Sequence, residues 1–102
     1  MSNILELDKL ENYLKEHGYT YERADLPGSQ WRMERHIVIV YDGVDADGNY
    51  GTRLWDAICQ PGSYGYEAGL LEIYGNIVNK KVDGDSVVGF LTAEDVIERL
   101  EK

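Results

Sequence analysis

The chain has 102 residues, of which 43% are hydrophobic and 28% are charged. This length predicts a single domain spanning residues 1–102, and the composition excludes a disordered, collagen-like or low-complexity chain. The longest apolar run, residues 37–41, is far shorter than the roughly 20 residues that a membrane-spanning helix needs. We therefore expect one folded domain outside the membrane.

Nineteen acidic and ten basic residues give a formal net charge of −9, and the densest basic cluster is the pair Lys80 and Lys81. Because no basic stripe is available to bind phosphates, we expect no direct binding of nucleic acid. The surplus of acidic residues favours encounter with a basic protein. The first residues lack the basic leader and apolar core of a signal peptide. Cys59 is the only cysteine, which excludes an intrachain disulfide and a Cys-rich zinc site. We expect a cytoplasmic protein.

The N-terminal segment predicts an amphipathic helix over residues 4–17. Asn3 and Glu6 form a loose capping-box pattern, and aliphatic residues recur behind them at helical spacing. Gly18 follows basic residues in the last turn, which is typical of a helix end.

Several β-prone runs follow, separated by turn residues. The predicted strands cover residues 19–26, 30–41, 52–60, 70–78 and 86–91. In the second run the odd positions from Trp31 to Tyr41 are mostly apolar, whereas the even positions change from charged to apolar. This pattern predicts a long interior strand whose second half is buried on both faces. Acidic Asp-Gly turns between the second and third runs predict a hairpin.

The C-terminus predicts a second helix that begins at Thr92. Asp95 completes a capping box with Thr92, and Leu91 and Val96 occupy the positions of a hydrophobic staple. The buried stripe of this helix would be Val96, Ile97 and Leu100. Together these elements predict an α+β fold, in which an antiparallel sheet of four to five strands has the N- and C-terminal helices packed on one face.

One acidic segment partly matches a calcium-binding loop. Asp45, Asp47 and Asn49 fall at loop positions 1, 3 and 5, and Asp56 falls at position 12. Position 6 is Tyr50, where the sharp turn of such a loop needs glycine. We interpret the segment as a plain hairpin turn and expect no metal site.

The residues that could support catalysis form no specific pattern. Cys59 with His36 or His17 would be a nucleophile and its base, but nothing in the spacing supports such a pair. A lone cysteine in a β-prone run is usually a small buried hydrophobic residue. Carboxylates near the predicted 61–69 loop keep a small hydrolase-like enzyme as an alternative. The glycines of this loop lack the Gly-Lys-Ser/Thr of a phosphate-binding loop, and no cofactor is indicated.

Tyrosines beside glycines in predicted loops are the candidate binding residues. They are Tyr50, Tyr64 and Tyr66, with Glu67 as a neighbouring acid. A loop tyrosine offers a partner a large amphipathic surface at low entropic cost. The alternative is that these rings fold back and cover the sheet with their hydroxyls in water.

Residues 55–67, 69–73 and 89–96, which include Trp55-Asp56-Ala57 and Gly89-Phe90-Leu91, resemble small uncharacterised acidic proteins of phages and prophages of Gram-positive bacteria. The resemblance covers about the second half of the chain. It implies no particular activity, cofactor or catalytic residue. It does imply a protein that binds or inhibits a host factor.

Three functions follow from the sequence, in order of preference. The first is a non-enzymatic acidic interaction module that binds a basic protein, including one whose nucleic-acid site its carboxylates would occupy in place of phosphates. The second is the small hydrolase-like enzyme. The third is a structural protein that associates with itself as a homo-oligomer.

Overall fold

The computed structural model describes residues 4–101. Three helices are present in this part of the chain: α1 (Leu5–Glu16), α2 (Lys80–Asp83) and α3 (Ala93–Leu100). The strands are β1 (Thr20–Leu26), β2 (Arg35–Tyr41), β3 (Arg53–Ile58), β4 (Leu71–Gly75) and β5 (Val87–Leu91). A short 3₁₀ turn, Tyr66–Ala68, lies between β3 and β4.

The five strands form one antiparallel sheet in the order β1-β2-β3-β4-β5. Helix α1 packs on β1, β2 and α3, and α3 packs on β5. The predicted α+β fold is confirmed, with the terminal helices packed on the sheet. Between residues 4 and 101, no helix is both long enough and apolar enough to cross a bilayer.

The core lies between the sheet and the two terminal helices. Its buried side chains are Leu7, Leu10, Leu14, Val38, Val40, Trp55, Ala57, Cys59, Leu71, Ile73, Ala93 and Val96. Strand register explains this set, because Val38 lies opposite Ala57 and Val40 opposite Trp55, and directly paired residues share a face.

The other face of β2 is less buried than the sequence predicts. Ile37, Ile39 and Tyr41 are half-buried, whereas the even positions of the strand are buried. Both terminal helices cover the even face, and the odd positions lie outside the core cluster. The prediction that the second half of the strand is buried on both faces is therefore wrong.

The second strand also begins later than predicted, at Arg35. After Pro27 the chain forms a second tight turn instead of a strand. In this turn the Ser29 N–H donates to the Arg32 carbonyl at 2.8 Å. The Ser29 hydroxyl accepts a further hydrogen bond from the Trp31 N–H at 3.2 Å. These bonds hold Trp31 outside the sheet, although alternation had placed it on an apolar strand face.

The boundaries of the terminal helices follow their local signals. The capping box at α3 is confirmed, because the Thr92 hydroxyl accepts from the Asp95 N–H at 3.2 Å and the Asp95 carboxylate accepts from the Thr92 N–H at 2.9 Å. Helix α1 ends at Glu16, followed by Gly18 at φ +73°. The predicted cap residue Asn3 lies outside the described residues.

The fourth strand ends at Gly75, before the predicted residue 78, at a point where its backbone lies very close to β3. Gly75 has φ +123°, and a Cβ there would lie 2.5 Å from the Leu54 carbonyl oxygen. The chain then turns into α2, a helix that the sequence pattern does not predict. Arg99 on α3 holds α2 in place through Asp83, with an Nη2–Oδ1 distance of 2.9 Å.

Candidate functional site

Large exposed apolar side chains lie at one end of the sheet, on two loops and at the end of β5. The β1–β2 loop (residues 27–34) and the β3–β4 loop (residues 59–70) both leave the sheet there, beside the end of β5. We call this surface the aromatic end, and it consists of these two loops and Phe90.

The β1–β2 loop presents the most exposed tryptophan of the described chain. Trp31 is 87% exposed and Met33 is 69% exposed. The loop surrounds an open groove of about 690 Å³ lined by residues 28–34. Neither side chain belongs to the core, so core packing does not explain why a tryptophan and a methionine occupy these positions.

Two glycines allow the β3–β4 loop to lie directly on β5. A Cβ at Gly89 would stand 2.2 Å from the Cβ of Tyr64, and one at Gly65 would stand 3.0 Å from the Cα of Phe90. The Phe90 N–H donates to the Tyr64 carbonyl at 3.2 Å. The loop is thereby fixed against the strand by backbone contacts.

This contact displays two aromatic rings to solvent. Tyr64 and Phe90 are 60% and 65% exposed, and their rings lie 6.4 Å apart at an interplanar angle of 22°. Phe90 has φ +59° and is the one non-glycine residue with positive φ among those described. A bulky residue in this conformation is an outlier, and it lies where the pairing of β4 with β5 shifts register.

A chain of hydrogen-bonded polar side chains joins the two loops. The Tyr66 hydroxyl donates to one carboxylate oxygen of Glu34. The other oxygen of Glu34 lies 2.9 Å from Nε2 of His36, and Nδ1 of His36 lies 2.8 Å from Asp25. His36 is only 6% exposed, so this chain ties both loops to the interior of the sheet.

The polar chain continues to helix α1 through Arg23. The guanidinium donates to Asp25 from Nε at 3.1 Å and to Glu11 from Nη1 at 3.1 Å. It also pairs with Asp8 at 3.0 Å. Arg23 therefore links α1, β1 and the histidine in one network.

This network keeps His36 charged over a wider pH range. Burial opposes the charge, but the hydrogen bonds to Glu34 and Asp25 outweigh it and raise the pKa of His36 above 6.5. The pKa of Glu34 is lowered, first by the hydrogen bond from Tyr66 and then by that from His36. At Asp25, burial again opposes the charge, and the hydrogen bonds from His36 and Arg23 lower the pKa.

These contacts disfavour catalysis at Cys59, Glu34 and Asp25. Both ring nitrogens of His36 lie within hydrogen-bond distance of carboxylates, so the imidazole is not arranged to take a proton from a thiol. Burial raises the pKa of Cys59, which disfavours its thiolate. Glu34 and Asp25, with lowered pKa values, are poor general acids.

The calcium-like segment is a turn in the structure. One carboxylate oxygen of Asp45 accepts from the N–H groups of Asp47 and Asn49, both at 2.9 Å. Asp56 lies in β3 and pairs with Arg53. The four candidate ligands are not brought together, and no group of three or more His, Cys, Asp or Glu in residues 4–101 could hold a metal ion.

The four candidate binding residues separate into two places. Tyr50 lies in the β2–β3 connection, at the opposite end of β3, and stacks on Tyr41 at 4.3 Å. Tyr64, Tyr66 and Glu67 lie together in the β3–β4 loop. Tyr66 is half-buried and packs against the core, whereas Tyr64 and Glu67 are exposed.

Sequence reasoning did not single out Trp31, Met33 or Phe90 as binding residues. Trp31 and Met33 follow the turn residues Pro27 and Gly28, which could have indicated a longer loop. Phe90 follows Gly89, and that glycine could have indicated a bulge in the last strand. The structure adds all three to the aromatic end.

Comparison with known proteins gives no relative from which a function could be transferred. No protein-family model, no curated protein and no solved structure matches the chain. We therefore base function on the geometry of the aromatic end.

Proposed function

We propose that this domain is a non-enzymatic interaction module that binds a basic protein through its aromatic end. The observation that carries the proposal is the exposure of Trp31, Met33, Tyr64 and Phe90 at one end of the sheet. Trp31 with Met33 and Tyr64 with Phe90 form two exposed apolar groups, on loops that the Tyr66–Glu34 hydrogen bond joins. Exposed apolar patches rimmed by polar residues mark interaction sites. Tryptophan and tyrosine are also the residues that most often dominate binding energy at interfaces.

The contacts that hold the two loops in place reduce the conformational entropy that the loops would lose on binding. Tyr66 and Glu34 tie the two loops together, and Gly65 and Gly89 hold the β3–β4 loop on β5. A preorganised surface loses less conformational freedom on association. The ring of Phe90 is 65% exposed at the edge of this supported loop, so it is available for contact with a partner.

Charge defines the class of partner. The chain carries a net charge of −9. The aromatic end itself holds Glu34, Glu67 and one arginine, Arg32, and Glu72 accepts from the backbone of the β3–β4 loop. A surplus of acid accelerates encounter with a basic surface, and this effect weakens as salt rises. A binder of this kind fits an inhibitor of a basic host protein in the cytoplasm of a phage-infected bacterium.

Site-specific crosslinking tests this proposal. A photoreactive residue replaces Trp31 in one variant and Val82 in a matched control, because Val82 is also highly exposed but lies on α2. We expect a basic protein from a Gram-positive bacterial lysate to crosslink at position 31 and not at position 82, with a yield that falls as salt rises. Equal crosslinking at both positions, or none at position 31, would contradict the proposal.

A further inference from the structure

A second groove lies between the β3–β4 loop and the end of β5. It has a volume of about 520 Å³ and is lined by residues 61–68 and Phe90. The nearly parallel rings of Tyr64 and Phe90 stand in its wall, and the exposed Glu67 lies in the same lining. Aromatic faces and a carboxylate therefore share one open site.

We propose that this groove binds an arginine side chain of the basic partner, an inference that rests on the proposed function. A guanidinium is planar, so it stacks on an aromatic face while its N–H groups pair with a carboxylate. Tyr64 and Phe90 supply the faces, and Glu67 supplies the carboxylate. A lysine ammonium matches the charge of the groove but cannot stack as a plane.

The charge around the groove complements a cation. Among the residues that line it, Glu67 carries a negative charge and none is Lys or Arg. A second carboxylate, that of Glu72, accepts from the Tyr64 N–H at 2.9 Å. A cation in the groove would therefore meet the carboxylate of Glu67, while Glu72 holds the backbone of Tyr64 from outside the lining.

The exposed ring of Phe90 is a second observation that supports a ligand here. The residue's φ of +59° is unfavourable for a phenylalanine, and its ring is 65% exposed. Neither local conformation nor burial favours this residue type at this position. Stacking on a ligand does account for an aromatic ring held there.

Nuclear magnetic resonance titration with blocked single amino acids tests the inference without the natural partner. The probes are N-acetyl-arginine methylamide and the corresponding lysine and citrulline compounds. Citrulline keeps the planar end group but carries no charge. We expect saturable amide shifts at residues 61–68 and Phe90 with arginine, weaker shifts with lysine and none with citrulline.

Two variants and one control locate the binding. Phe90→Asn and Glu67→Gln should each weaken arginine binding about fivefold, the effect of losing about 1 kcal/mol. Tyr74→Ala should leave it unchanged, because Tyr74 is an exposed tyrosine on β4 outside the groove lining. Equal responses to arginine and lysine, shifts scattered over other acidic surfaces, or no saturable binding would each overturn the inference.

Failure of this inference can be distinguished from failure of the proposed function. A basic partner that crosslinks at position 31, together with no arginine binding in the groove, would overturn the groove and leave the proposed function in place. Saturable arginine binding without any partner at position 31 would support the groove and contradict the proposed function.

Discussion

The hydroxyl of Tyr66 donates to the carboxylate of Glu34, and this bond joins two loops that are separated by two strands in the chain. Glu34 also contacts the buried His36, so the bond connects the β3–β4 loop to the interior of the sheet. The position of the exposed Tyr64 depends on a loop that its neighbour Tyr66 holds in place. The two tyrosines therefore have different roles, one in binding and one in support.

Replacing these two tyrosines separates the roles. Tyr66→Ala removes a ring that packs against the core, so we expect a loss of about 2 kcal/mol in the free energy of unfolding. Tyr64→Ala should change the free energy of unfolding by less than about 0.5 kcal/mol, because the ring is exposed. Urea unfolding of both variants measures the difference, and equal losses would show that Tyr64 is also structural.

Substitution of Phe90 by asparagine should remove binding without loss of stability. Asparagine tolerates the left-handed conformation that Phe90 adopts at φ +59°. We expect the free energy of unfolding to stay the same or rise by up to about 1 kcal/mol, while partner crosslinking at position 31 declines. A clear drop in the melting temperature would instead mean that the Phe90 ring stabilises the β3–β4 loop.

The elements defined by local signals could be predicted from the sequence. The capping box of Thr92 and Asp95 and the glycine after α1 depend on residues a few positions apart. The start of β2 could not be predicted in the same way. Alternation shows which residues would share a face, but it does not show that the Ser29–Arg32 turn delays the strand until Arg35.

The aromatic end depends on contacts between distant parts of the chain. Tyr66 and Glu34 are 32 positions apart, and the hydrogen bond between them follows from the pairing of β2 with β3. The left-handed conformation of Phe90 follows from the β4–β5 register shift and the approach of the β3–β4 loop. Neither relationship leaves a periodic pattern, so the sequence identified the loop tyrosines but not the surface they belong to.

Helix α3 offers a test of the capping interaction against core packing. Thr92→Ala removes the hydroxyl that accepts from the Asp95 N–H, so we expect a loss of about 1 kcal/mol. Val96→Ala should cost about 2 kcal/mol, because Val96 is fully buried in the core. Chemical denaturation measures both values, and negligible losses from both would mean that α3 is not docked on the sheet.

Calcium should not stabilise the protein through the segment from Asp45 to Asp56. Asp45 bonds to the backbone of its own turn, and Asp56 pairs with Arg53 in β3. We expect the melting temperature in millimolar calcium to match that in sodium chloride of equal ionic strength. A saturable rise that Asp47→Ala abolishes would contradict this, because a ligand bound only to the native state must stabilise it.

The ion pairs of His36 with Asp25 and Glu34 should make the free energy of unfolding depend on pH, with a maximum at slightly acidic pH and a fall on either side. The pKa of His36 is raised in the folded protein, so its contribution is complete below about pH 6.5 and is lost as the pH rises through the folded value. The lowered pKa values of Asp25 and Glu34 act in the opposite direction, so their contribution is present above about pH 4 and is lost at lower pH.

Urea unfolding of the wild type, His36→Gln and His17→Gln between about pH 5 and 9 tests the expected loss of stability as the pH rises. The wild type should lose stability above about pH 6.5, and His36→Gln should flatten this fall because no imidazolium then pairs with Asp25 and Glu34. His17→Gln is the matched control and should keep the fall, because His17 is exposed at the end of α1. Wild-type stability that rises through this range, or an identical fall in His36→Gln, would show that the charged imidazole does not stabilise the folded state.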